Sequence, residues 1–245
     1  MARVRQMSLV TLILLISLQM PISNSAIKSC SVKANTSQAK IGQEKLLGSF
    51  TGGGVFSFLQ IDQSLFLLAE RSKGGSLTLL DSQTGEISGI STGLQNVRDM
   101  FKLVKSPKFS LDNPEIYFSA LMWGDLNTPR SGRRASEPAM KNILPSGLSV
   151  FRGTLNFKSK TLENLKEIYK QSNYLVSGSN YGGALAFSKD GKNLFISVGD
   201  EGDYDKAQQL DSEIGKILRV TLDGDFPKDN PYQFAGANKN FCVWL

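Results

Sequence analysis

From position 45 onward the chain is cut into short apolar runs separated by Gly-, Asp- and Asn-containing turns, and no long amphipathic helical stretch comes between them. Runs expected to be strands cover 55–61, 65–70, 76–80 and 86–90, then 116–121, 147–155 and 165–169, then 184–188, 193–198 and 216–221. Each is rich in Phe, Leu, Ile and Val with partial alternation, as half-buried antiparallel strands require. Asp81-Ser82-Gln83-Thr84-Gly85 and Ser188-Lys189-Asp190-Gly191 suit tight turns. There Asp bonds its own backbone and Gly tolerates positive φ. Groups of such strands without helices between them favour an all-β fold, and a β-propeller over a sandwich. Two segments break the rhythm: 123–145, with three prolines, reads as a long loop, and 203–215 as a loop with one helical turn near Ala207-Gln208-Gln209-Leu210.

The first residues read as a targeting segment. Arg3 and Arg5 precede an apolar run over 7–20, and Pro21 with Ser23, Ser25 and Ala26 offers a cleavage site. The run is short for a spanning helix, which needs ~20 apolar residues. The organisation expected is a signal peptide over 1–26, a flexible segment over 27–44 and the β-rich body over 45–245, secreted or periplasmic and free of the membrane once cleaved. A retained anchor is the alternative. The formal charge is +6, and cleavage would remove Arg3 and Arg5 to leave +4. Basic residues are scattered except for Arg130, Arg133 and Arg134 in one loop, so nucleic acid is not an expected partner. Cys30 and Cys242 are available to pair in an exported chain, but sequence does not place them within bonding distance. The chain has no histidine. That excludes a Ser-His-Asp triad, Cys-His catalysis and histidine-ligated zinc. A general base must then be Asp, Glu, Lys or Tyr.

Several motifs have a plain reading beside a functional one. Gly52-Gly53-Gly54 lacks a following helix, so it reads as a turn into a strand rather than a phosphate cradle. Asp200-Glu201-Gly202-Asp203-Tyr204-Asp205 has the carboxylate density of a calcium loop without the distal glutamate of an EF-hand, and reads as a solvated loop. Asn35-Thr36-Ser37 is a glycosylation sequon, and Trp123 and Trp244 read as packing residues.

The stretch Asn180-Tyr181-Gly182-Gly183-Ala184-Leu185-Ala186-Phe187, the Val198-Gly199-Asp200 loop and the string Gly215-Lys216-Ile217-Leu218-Arg219 with Asp223-Gly224 and Asp229-Asn230-Pro231 closely resemble the middle of the glucose/sorbosone dehydrogenases, soluble sugar dehydrogenases that use pyrroloquinoline quinone (PQQ). Weaker similarity at Arg98-Asp99-Met100, Asp112-Asn113-Pro114 and 147–155 extends it over 46–245. The resemblance implies a six-bladed propeller, with PQQ and calcium over the central channel and an aldose sugar as substrate. In that reaction the C1 hydroxyl carbon gives a hydride to the quinone and a histidine takes the hydroxyl proton. The matching position here is Asn180, which orients a hydroxyl but accepts no proton. Loss of a general base costs ~10²–10⁴-fold in rate, or about 3–5 kcal/mol of barrier. Asp200 matches the aspartate that orients the histidine; it reads as a substitute base or as a turn residue. Gln95 falls where the family's cofactor-side Gln-Gly-Gly-Leu segment lies and is the candidate neighbour of the quinone. No residue is assigned to a metal. About 220 mature residues supply about four blades rather than six. The family segments that follow 241–245 and hold PQQ and calcium would lie past Leu245. The expectation is therefore an incomplete propeller, the N-terminal portion of a longer dehydrogenase-like protein and inactive alone. The alternative is a non-catalytic propeller that binds a sugar or a protein partner.

Overall fold

A computed structural model describes residues 54–70, 74–177 and 179–230. Eleven strands occur among them, in three antiparallel sheets whose neighbours in space are neighbours in sequence. The first sheet holds β1 (Val55–Gln60), β2 (Leu65–Glu70), β3 (Ser76–Asp81) and β4 (Ile87–Ile90). The second holds β5 (Val97–Lys105), β6 (Glu115–Trp123), β7 (Ser146–Asn156) and β8 (Thr161–Lys170), and the third β9 (Gly182–Phe187), β10 (Asn193–Val198) and β11 (Lys216–Thr221). The opening strand of each sheet packs against the opening strand of the next, β1 on β5 and β5 on β9. Successive meanders that meet along their first strands are the blades of a propeller.

The turns form as the local chemistry requires. Asp62 Oδ1 accepts the Ser64 and Leu65 amides at 2.8 and 2.7 Å, closing the β1–β2 turn. Asp190 Oδ1 accepts the Lys192 amide at 3.1 Å in the β9–β10 turn.

Two cores lie between the blades. Leu67, Leu77, Met100, Leu103, Ile116 and Phe118 fill the space between the first and second sheets. Tyr117, Leu148, Val150, Leu194, Ile196 and Leu218 fill that between the second and third. Each fully buried aliphatic side chain contributes ~1.5–3 kcal/mol. β6 supplies both cores from alternate residues, so it reads as a continuous apolar run. β10 alternates buried and half-buried residues, since only one of its faces is covered among the described residues. At the outer edge, the Ser91 amide donates to Lys160 O at 2.9 Å and the Leu162 amide to Ser91 O at 2.8 Å, stapling the first blade to the second.

Most strands fall where the sequence places them, and 193–198 and 216–221 match at both ends. β5 was not anticipated. Its register shifts between Val97 and Asp99 and between Met100 and Leu103 break the period-two pattern, and Arg98, Lys102 and Lys105 dilute it further. The helical turn in 203–215 is a 3₁₀ turn at Tyr204–Gln208, earlier than the expected 207–210. Gly54, at φ 121°, directly precedes β1, and Gly52 and Gly53 lie outside the described residues. The expected signal peptide, the sequon at Asn35, Cys30, Cys242, Trp244 and the strand at 241–245 lie outside the described residues. No described helix is long and apolar enough to cross a membrane.

Candidate functional site

The site assembles where the turn leading into β9 meets the turn leaving β10. Asn180 sits at φ 59°, a left-handed conformation that Asn tolerates better than most residues. Its Nδ2 donates to Asp200 Oδ1 at 3.1 Å, and the same oxygen accepts the Gly202 amide at 2.9 Å. The two turns are also joined through their backbones. The Glu201 amide donates to Asn180 O at 3.1 Å, and the Gly199 amide to Tyr181 O at 3.1 Å. They approach so closely that a Cβ on Gly199 would lie 1.7 Å from Asn180 O. Glycine at 199 is thus a steric requirement of the pair. Asn180 is exposed and Asp200 half-buried.

Beside the pair opens a hollow of about 420 Å³ lined by Phe56, Phe101, Lys102 and residues 180–184. Phe56 meets Phe101 edge-on at 5.4 Å, and Phe101 stacks on Tyr181 at 6.4 Å. β1, β5 and the start of β9 therefore each give one ring to the wall between the innermost strands. Behind Tyr181 lies a residue that sequence reasoning noted only as part of a weak motif. The Arg98 guanidinium sits 4.5 Å over the Trp123 ring and 5.0 Å from the Tyr181 ring centre. It donates to Tyr181 Oη at 2.6 Å and Ser146 Oγ at 3.1 Å, and Tyr181 in turn donates to Ser177 O. Arg98 thus fixes the ring that follows Asn180. Trp123 takes the packing role expected of it.

The carboxylates of 200–205 do not face one another. Asp200 turns to Asn180, Asp203 pairs with Lys206 at 3.5 Å, and Glu201 points inward to Gln171 at 2.8 Å. Among the described residues no three His, Cys, Asp or Glu side chains are grouped to hold a metal ion. Glu201 is the departure from the solvated-loop reading. It is buried, and that burial together with Glu213 nearby raises its carboxyl to about 8, against the Gln171 hydrogen bond and the charges of Arg98 and Lys206. Glu213 is also buried and accepts from Tyr169 Oη at 3.0 Å and from the Ser172 amide. Burial and Glu213 hold the Tyr169 hydroxyl well above its ordinary range. Only burial separates these two glutamates from the exposed acids around them, and no local motif marks that in the sequence.

Gln95 lies exposed in the bend before β5, three residues ahead of Arg98, and takes no part in the Asn180–Asp200 pair. Two of the three arginines in the arginine-rich loop bond within it, and the third reaches the 3₁₀ turn. Arg130 donates to Ile143 O at 2.6 Å and Met140 O at 2.9 Å, Arg134 pairs with Glu137 at 3.0 Å, and Arg133 lies 5.2 Å over the Tyr204 ring.

Known proteins give this geometry a context. The family described as Glucose / Sorbosone dehydrogenase matches residues 56–244. Aldose sugar dehydrogenase YliI of Escherichia coli K12 is 35% identical over 88 residues, covering 36% of this chain and 23% of the relative. A crystal structure of a glucose dehydrogenase superposes with TM-score 0.59 at 26% identity, covering 78% of this chain and 53% of that one. The PQQ-bound aldose sugar dehydrogenase of Streptomyces coelicolor superposes with TM-score 0.58 at 19% identity, covering 82% and 52%. This chain spans about half the length of those solved structures. The three blades are accordingly blades of a quinoprotein-dehydrogenase type of β-propeller.

Proposed function

Since the chain belongs to the glucose/sorbosone dehydrogenase family, we propose that it forms the substrate-side wall of an exported, sugar-recognising propeller of the PQQ-dependent type, in which Asn180 orients an aldose hydroxyl without taking its proton. The observation that carries this reading is the Asn180–Asp200 hydrogen bond at the rim of the hollow. It is the arrangement that an orienting aspartate and a hydroxyl-facing side chain need, with an amide in the place of an imidazole. The amide has one donor engaged by Asp200, which leaves a second N–H and its carbonyl oxygen for a sugar hydroxyl. Asp200 is the one member of the pair able to receive a proton.

PQQ, when bound, supplies a quinone that accepts a hydride. The described residues do not by themselves fit this cofactor, a planar anion with three carboxylates. Among the described residues Lys102 is the one cationic side chain lining the hollow, and the Arg98 guanidinium is engaged by Tyr181, Ser146 and Trp123. No step is therefore assigned to the quinone or to calcium. What these residues offer is an aromatic wall, an oriented amide and a carboxylate. An oriented amide that takes no proton also supports the second reading, a propeller that binds a sugar or a protein partner without oxidising it.

The test is Asn180→His in the protein expressed from its own gene, supplied with PQQ and calcium and assayed for aldose-dependent dye reduction. A gain of ~10²–10⁴-fold is expected if only the base is missing. If both forms fail to bind PQQ, the binding reading stands in its place. Export is tested separately, by an intact mass consistent with loss of 1–26.

A further inference from the structure

The turn that carries Asp200 is held from below by its own next residue. Glu201 follows Asp200 at φ 50°, its amide bonded to Asn180 O at 3.1 Å and its side chain turned the opposite way, into the interior. There Oε1 accepts Gln171 Nε2 at 2.8 Å, while Gln171 Oε1 accepts the Leu148 amide at 2.9 Å and its Nε2 also donates to Asn173 O at 2.9 Å. One residue thus touches the site with its backbone and the blade core with its side chain, through a glutamine anchored on β7. We propose that Glu201 is the positioning residue of the Asn180–Asp200 pair, its uncharged buried carboxyl being the foot of a Glu201–Gln171–Leu148 strut that fixes the turn, and that ionising this carboxyl releases the turn and with it the pair. The inference rests on that pair being the working part of the site proposed above.

Three observations make the uncharged form the one that fits. Glu201 is 2% exposed. Its Oε2 is buried with no hydrogen-bond partner among the described protein groups, whereas an ionised carboxylate needs several donors when it leaves water. Gln171 spends its donors on Oε1 and on Asn173 O, so a proton on Oε2 leaves the strut undisturbed. The groups around it divide in sign. Glu213, from the segment before β11, opposes ionisation, and Arg98 from β5 and Lys206 from the 3₁₀ turn favour it. The Tyr169 hydroxyl from β8 is committed to Glu213. Burial outweighs these charges, and the carboxyl is raised from 4.5 to about 8. The direction follows from that sign: the strut is intact at low and neutral pH and is lost as pH rises through about 8.

The experiment follows the Asn180 side-chain amide by ¹H–¹⁵N NMR from pH 6 to pH 9.5 in the whole chain, without sugar or cofactor. In the wild type the signal should hold below neutrality and move toward the position of a free amide with a midpoint near 8. Glu201→Gln keeps the acceptor and removes the charge, so its signal should sit at the wild-type low-pH position throughout. Glu201→Ala should show the free-amide position at every pH. A wild-type signal that does not move, a Glu201→Gln signal that moves with the same midpoint, or a Glu201→Ala signal at the wild-type position would each overturn the proposal. Should Glu201→Ala fail to fold, the wild type and Glu201→Gln decide alone. Failure of the sugar-oxidation reading would leave this titration unchanged, so the two are separable.

Discussion

The connection over 124–145 and the connection over 199–215 are both long, both polar in sequence, and in each one cation gathers several backbone carbonyls. In the first, the exposed Arg130 donates to Ile143 O and Met140 O at 2.6 and 2.9 Å, with Ala135 O at 3.5 Å. In the second, Lys216 Nζ donates to Lys206 O at 2.9 Å, Ala207 O at 2.6 Å and Ile214 O at 2.9 Å, and the residue is buried at 2% exposure. Burial lowers the pKa of that ammonium, partly opposed by Asp211. The device is the same in both and its consequences differ. Carbonyls released by Arg130 can turn to water, while those held by Lys216 are part-buried or buried, so a lost donor leaves a desolvation cost behind. The first loop can therefore change its cap freely, and the second cannot. It is the second that carries Asp200.

Substitutions at three positions separate the loops. Gly199→Ala should have the largest effect, because its Cβ would meet Asn180 O at 1.7 Å. We expect destabilisation of more than about 4 kcal/mol, read by chemical denaturation, and a mild effect would mean that the two turns are not in contact. Lys216→Met keeps the apolar stem but leaves three carbonyls uncapped. It should cost about 3 kcal/mol and raise amide exchange across 203–215, while exchange across 124–145 stays unchanged. Arg130→Ala should cost less than about 1 kcal/mol, with its exchange effect confined to 135–143. Equal costs at Arg130 and Lys216 would erase the distinction between the loops.

The legibility of the molecule follows the same division. β10 and β11 were readable to the residue, because alternation along β10 and a bounding turn at Asp190-Gly191 are properties of adjacent residues. β5 was hidden, because two register shifts break its alternation and its charged residues find partners far away in the chain, Arg98 at Ser146 and Tyr181, Lys105 at Ile61 O. At the site, Asn180 and Asp200 were picked out by resemblance, and the structure brings them to 3.1 Å. Gln95, chosen in the same way, lies outside that pair in the bend before β5. Glu201 stood in plain view in a charged loop and Lys216 at the start of a strand, yet nothing local distinguishes a charged side chain that turns inward from one that faces water.

By itself the sequence determined the all-β character, most strand limits, the family and the absence of histidine. These depend on residue identity and on period and turn chemistry within a few positions. Only the tertiary structure decided that Glu201 is buried where its carboxyl is raised, that Lys216 caps three carbonyls, and that Arg98 supports Tyr181 behind the site. Each of those outcomes turns on how much water reaches the group and on partners brought from distant strands, and both are set only when the blades pack.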